Sequence, residues 1–115
     1  MTVPGKPVRS WVLHATEGIQ GAMSVPGDKS ISHRCLLLGA MAHGTTEVHG
    51  FLHGEDCLAT LHTLRALGVT IEESADGCVR IAGRGPEALR EPDTILDAGN
   101  SGTTLRLLAG LLAAR

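Results

Sequence analysis

Apolar residues recur along the chain with two periods, and the alternation of those periods predicts alternating strands and helices. Trp11–Ala15 and Ala22–Val25 are short apolar runs that predict strands. Ser30–Ala42 places Ile31, Cys35, Leu38 and Ala42 on one stripe, which predicts a helix, with Gly44 as the stop signal behind it. Thr45–Phe51 alternates around Val48 and predicts a strand. A second helix is predicted from about Glu55 to Leu67, on the stripe Leu58, Leu61, Leu64 and Leu67, with Gly68 ending it. Glu55 and Asp56 suit its first turn, where the helix dipole is positive. Val69–Glu73 and Cys78–Ala82 flank Ala75-Asp76-Gly77 and predict a hairpin. Gly83–Pro92, rich in Gly and Pro, predicts a loop; Thr94–Leu96 predicts a strand, and Gly102 onward a third helix. The helical pattern through Leu107–Arg115 meets no capping Gly or Asn and no Pro, which is expected of a helix cut inside a larger architecture.

A weak internal repeat runs through these elements. A shift of 72 residues lays Gly27-Asp28 on Gly99-Asn100, Arg34 on Arg106 and Leu36 on Leu108. Both segments read as a short strand, a Gly, an Asx, small polar residues and then a helix with Arg in its first turns. The expected organisation is an N-terminal segment over 1–20, a first unit over 21–92, and the start of a second unit over 93–115.

Composition narrows the classes of function. At 115 residues the chain suits one modest domain. Trp11 and Phe51 are its aromatic residues, so the core must be built from aliphatic side chains. A net charge of −2 without a long basic run speaks against nucleic acid as a partner. The longest apolar runs, Cys35–Ala42 and Leu107–Ala114, fall far short of the ~20 residues that cross a bilayer, so no membrane role is expected. Met1–Ser10 lacks an apolar core and reads as a ragged start rather than a signal peptide. Cys35, Cys57 and Cys78 lie far apart without metal spacing, as expected of reduced thiols filling the core of a cytoplasmic protein.

The chemistry concentrates at two strand-to-helix junctions. The first is Pro26-Gly27-Asp28-Lys29-Ser30-Ile31-Ser32-His33-Arg34. Gly27 permits a sharp turn, and the helix start behind it offers unpaired N–H groups and partial positive charge to an anion. Lys29 adds an ammonium, and Ser30 can cap the helix or donate to a ligand. Arg34, one turn after Ser30 on the same face, carries a fork suited to carboxylate or phosphate. The plainer alternative is a capped helix with two solvated cations. The second junction is Asp97-Ala98-Gly99-Asn100-Ser101-Gly102-Thr103-Thr104-Leu105-Arg106. Asn100 or Ser101 can cap there, and the N–H groups around Gly102 could bind phosphate. An ordinary capped turn is its plainer alternative. Two such junctions related by a repeat could face one cleft and grip an anion each.

Other signals carry less. Gly27-Asp28-Lys29-Ser30 fails the spacing of a P-loop, and Gly83-Arg84-Gly85 runs into Pro86 and lacks a dinucleotide fingerprint. His49, His53 and Cys57 recur every four residues, yet they straddle a strand, a loop and a helix start, so no metal site is expected. His14, His43 and His62 have no companion pattern. His33 is expected to pack or hydrogen-bond locally.

The first junction resembles the N-terminal signature of the 5-enolpyruvylshikimate-3-phosphate synthases, and Leu96–Arg106 resembles their second signature. Gly54–Leu61 and Leu64–Val69 also look familial, so the resemblance covers about residues 9–115. A sister enolpyruvyl transferase, acting on UDP-N-acetylglucosamine, typically has Asn directly after the equivalent lysine, where this chain has Ser30. The resemblance implies an α/β fold of βαβαββ units around buried parallel helices, of which this chain supplies one unit and the opening of a second. It implies transfer of the enolpyruvyl group of phosphoenolpyruvate to the 5-hydroxyl of shikimate 3-phosphate. Ser30 and Arg34 would hold shikimate 3-phosphate, Lys29 would touch both substrates, and Gly102 with Asn100 and Thr103 would lie at the phosphoenolpyruvate phosphate. Arg106 would be a structural support. No metal or organic cofactor is implied. The acidic proton-transfer groups and further cationic ligands would lie in a C-terminal remainder, the implied partner of this chain. A non-catalytic anion-binding fragment, or part of a related enolpyruvyl transferase, is the alternative.

Overall fold

The computed structural model, which describes residues 9–115, has a three-stranded antiparallel sheet and three α-helices. The elements are α1 (Lys29–Met41), β1 (His43–Val48), α2 (Glu55–Ala66), β2 (Thr70–Glu73), β3 (Val79–Arg84), a 3₁₀ turn (Pro86–Ala88) and α3 (Gly102–Leu112). Most of the predicted ragged start, Met1–Val8, lies outside the described residues. Among the described residues no helix is long and apolar enough to cross a membrane.

The sheet order is β1-β3-β2, so the predicted hairpin partner β3 is the central strand. Its pleat sends Val79, Ile81 and Gly83 to the buried face and Arg80 and Arg84 to solvent. Arg80 stands opposite both Glu47 of β1 and Glu72 of β2, and its guanidinium donates to Glu47 at 2.7 Å. Opposite charges so placed favour this register. β1 is displaced from the expected Thr45–Phe51 because its ladder follows β3, running from His43 opposite Arg84 to Val48 opposite Val79. Phe51 is buried from the loop that follows.

α1 lies against β3 through small residues. A Cβ on Gly83 would collide with the carbonyls of Gly39 and Ala42, and one on Gly39 would press on Ile81. That approach decides which face of α1 is inside. The buried residues are Ser32, His33, Leu36, Gly39 and Ala40, whereas Ile31 and Leu38 of the expected stripe are exposed. Its second half, Cys35–Met41, is apolar all round, so periodicity alone did not select a face. Gly44, expected as the helix stop, lies inside β1; α1 passes into the strand through the single residue Ala42.

α2 is sandwiched between α1, the sheet and α3, and its buried face is correspondingly wider than a leucine stripe. Cys57, Thr60 and Thr63 are buried with Leu61, Leu64 and Leu67, while Leu58 is only half-buried. Gly68 ends it in a left-handed conformation (φ +92°), with its N–H donating to the Arg65 carbonyl and that of Val69 to the Leu64 carbonyl. Both bonds satisfy carbonyls that a helix end leaves open.

Three predicted strands are absent. Trp11–Ala15, Ala22–Val25 and Thr94–Leu96 are not in the sheet, and Trp11, Val12, Leu13, Met23, Val25 and Ile95 are exposed. An extended segment becomes a strand only where a neighbour supplies the ladder bonds, and none does so among the described residues. The first unit therefore shows helix, strand, helix and hairpin without its leading strand.

Candidate functional site at three adjacent helix starts

Each junction is organised by a cap that leaves other polar groups free. At α1 the cap is Asp28 rather than Ser30: its Oδ1 accepts from the Ile31 N–H at 2.8 Å. Ser30 is exposed and makes no side-chain hydrogen bond among the described residues. Ser32 turns inward, donating to the Asp28 carbonyl at 2.7 Å and accepting from the Leu52 N–H at 3.0 Å. Gly27 is required by the same approach, since a Cβ there would collide with the Gly50 carbonyl and crowd the Leu52 amide. Arg34 is exposed on α1, four residues beyond Ser30 and on the same face, with no ion-pair partner among the described residues.

At α3 the cap is Ser101, whose Oγ accepts from the Thr104 N–H at 3.1 Å. Asn100 and Gly102 are exposed and Thr103 half-buried. Nothing stands within 4 Å of where a Gly102 Cβ would be. The two caps refine the repeat. Asp28 precedes Arg34 by six residues, but Ser101 precedes Arg106 by five. One residue of helix is about 100° of rotation, so the two arginines leave their helices in different directions.

The first turn of α2 joins these junctions. Lys29 forms an ion pair with Asp56, and the Asp56 carbonyl accepts from Thr104 Oγ1 at 3.2 Å. The hydrogen bond from Lys29 to the Asp56 carboxylate, and then its charge, hold the lysine above its ordinary pKa, so it is an ammonium. Cys57, next to it, is buried and its Sγ lies 3.6 Å from the Lys29 carbonyl oxygen. Burial, reinforced by the Asp56 charge, pushes this thiol up and keeps it protonated. Below them runs a line of buried side chains: His33 Nδ1 is 2.8 Å from Thr60 Oγ1, which is 2.8 Å from Thr104 Oγ1.

Lys29 and the α3 start thus flank one helix end. Three concavities elsewhere, of about 270, 430 and 160 Å³, contain none of the six candidate residues. Sequence reasoning missed Asp56 as the partner of Lys29, and missed Thr60 and Thr104 altogether. The repeat held one signal for the last: the shift of 72 lays Ser32 on Thr104, and both are buried hydroxyls in a first helical turn. His33 packs as expected, but its bond is to another helix rather than local. Of the three residues spaced by four, His49 faces Glu47 at 4.0 Å and His53 faces Glu73 at 3.4 Å, while Cys57 is buried at the start of α2.

Residues 13–115 match the family profile described as EPSP synthase (3-phosphoshikimate 1-carboxyvinyltransferase). The 3-phosphoshikimate 1-carboxyvinyltransferase of Desulforamulus reducens is 57% identical over 102 residues, which are 89% of this chain and 24% of that protein. That of Herpetosiphon aurantiacus is 58% identical over 106 residues, 92% of this chain and 24% of its own length. The solved EPSP synthase from Acinetobacter baumannii shares the fold with a TM-score of 0.76 at 54% identity, over 80% of this chain and 21% of that one. The chain therefore spans about a quarter of the length of these curated relatives. In sequence along nearly all its length, and in its mixed helix–strand architecture, this chain belongs to the EPSP synthase (3-phosphoshikimate 1-carboxyvinyltransferase) family.

Proposed function

We propose that the protein carrying this chain transfers the enolpyruvyl group of phosphoenolpyruvate to the 5-hydroxyl of shikimate 3-phosphate and releases phosphate. The observation that carries this is the family match over residues 13–115, which includes both helix starts and their polar residues. The 5-oxygen bonds to the central carbon of phosphoenolpyruvate while its methylene carbon takes a proton. The tetrahedral intermediate then loses phosphate and a methyl proton, restoring the vinyl group.

Both substrates are anions, and bringing them together requires fixed positive charge and oriented N–H groups. Ser30 and Arg34, free of other partners and one turn apart, hold shikimate 3-phosphate chiefly by its carboxylate. Lys29 lies between the substrates and serves both. The open N–H groups at Gly102, with Asn100 and Thr103, receive the phosphoenolpyruvate phosphate; glyphosate, an inhibitor of that site in this family, would compete there. Residues 21–92 form the first structural unit and 93–115 open the second. The proton-transfer acids belong to the remaining length that the relatives have. The free thiols Cys35, Cys57 and Cys78 suit a cytoplasmic, reducing compartment.

The test is turnover in a polypeptide of the relatives' length that carries this segment. Lys29→Met is expected to lower kcat/KM by roughly 100-fold or more, as loss of a preorganised electrostatic donor does. His53→Ala and Cys57→Ala, read as structural, are expected to stay within a few-fold while folded. Equal losses in all three variants would remove Lys29 from the site.

A further inference from the structure

His33, Thr60, Thr104 and Ser101 make one buried line of hydrogen bonds across all three helices. His33 Nδ1 in α1 meets Thr60 Oγ1 in α2, and Thr60 meets Thr104 Oγ1 in α3, each at 2.8 Å. Thr104 Oγ1 also lies 2.7 Å from the capping Ser101 Oγ and 3.2 Å from the Asp56 carbonyl. All four residues are at most 3% exposed. His33 Nε2 is the one buried side-chain nitrogen or oxygen without a partner among the described residues.

Counting protons gives the line a direction. The Asp56 carbonyl can only accept. Ser101 Oγ likewise accepts from the Thr104 hydroxyl, so Thr104 directs its single proton to Ser101 or to the Asp56 carbonyl, and a lone pair remains for Thr60. Thr60 then donates to Thr104 and accepts from His33, whose Nδ1 carries the proton. The reverse direction would leave the proton on Nε2, a buried donor with nothing to receive it. An orphaned buried N–H is rarer in folded proteins than an under-used acceptor.

We infer that His33 is a positioning residue, whose Nδ1–H anchors, through Thr60 and Thr104, the cap that holds the start of α3 in register with that of α1. The imidazole is neutral in this setting, because burial, and then the Lys29 charge, lower its pKa against the opposing pull of Asp56. Any consequence for ligand binding rests on the proposed function; the tautomer and the anchoring do not.

The test exploits side-chain shape. Asn carries its amide nitrogen on Cγ, where His carries Nδ1, whereas Gln places its amide one bond further out, toward the position of Nε2. In a polypeptide of the relatives' length carrying this segment, a long-range ¹H–¹⁵N spectrum, with the imidazole signals connected to the assigned His33 backbone, is expected to show Nδ1 protonated and Nε2 bare. A proton on Nε2 would overturn the inference, even if no variant folds. His33→Asn is expected to keep the wild-type melting midpoint and phosphoenolpyruvate affinity. His33→Gln should lower the midpoint by several degrees and weaken phosphoenolpyruvate several-fold. Equal behaviour of Asn and Gln in the melting midpoint would also overturn it. A wild-type protein that shows the Nδ1–H tautomer but binds no phosphoenolpyruvate would refute the site reading and leave the anchoring intact.

Discussion

At the scale of single residues, the proposed site depends on what is absent as much as on what is charged. Gly102 opens α3 with nothing within 4 Å of its missing Cβ, so a ligand oxygen can come up to the helix N–H groups. Gly102→Ala puts a methyl group in that approach while costing the fold little. In the full-length context, titration calorimetry is expected to show phosphoenolpyruvate weakened by about 1–3 kcal/mol, with shikimate 3-phosphate much less affected. Equal weakening of both would mean a folding defect, and no effect on phosphoenolpyruvate would take Gly102 out of the site. His33 gives a pH dependence of defined sign. Its folded pKa is lowered, so below the ordinary histidine value of about 6.5 the unfolded chain takes up a proton that the native imidazole refuses. Its contribution to stability is complete above that value and is lost as pH falls through it toward the lowered one. The melting midpoint should drop between pH 7.5 and 5.5 by more in wild type than in His33→Asn; identical drops would show that His33 does not contribute.

At the scale of elements, the contact of α1 with β3 governs the orientation of the first junction. Gly83→Ala would drive a methyl group into the carbonyls of Gly39 and Ala42, which are backbone atoms that cannot step aside singly. The helix must lift from the sheet, and a loss of about 1–3 kcal/mol is expected in urea unfolding. Gly110→Ala in α3 meets nothing within 4 Å and should be neutral or stabilise by about 0.5–1 kcal/mol through helix propensity. Equal effects of the two substitutions would contradict the packing described. The elements most legible in the sequence were those whose signals are local. α2 lay within a residue of its expected bounds because acidic residues at its start and Gly68 at its end act within one turn. β2 and β3 followed from their turn. The face of α1 was not legible, because its second half, Cys35–Met41, is apolar all round and can be buried several ways, and Gly39 and Gly83 chose one.

At the scale of the whole molecule, the chain carries the two junctions and about a quarter of the relatives' length. Ile31, Leu38, Leu105 and Leu107 are exposed on its helices, and Trp11, Ile19 and Met23 are exposed in the segment before them, which has neither helix nor strand. The groups proposed to move protons are not among its residues. The 115-residue chain alone is therefore expected to give no saturable phosphate release with both substrates present, and clear turnover by the purified chain would refute that division of labour.

The sequence by itself determined the family, the positions of the three helices and the hairpin, and which residues open the two helices that form the candidate site. These follow from periodicity, caps and short motifs, whose physics is contained within a few neighbouring residues. Tertiary structure decided the rest. It made Asp28 and Ser101 the caps, paired Lys29 with Asp56, and strung Thr60 and Thr104 between the helices. It also left Trp11–Ala15, Ala22–Val25 and Thr94–Leu96 out of the sheet. Each of these depends on what lies across a gap from the residue in question. A strand needs a neighbour's ladder bonds, a buried hydroxyl needs a partner from another helix, and neither neighbour is written beside it in the chain.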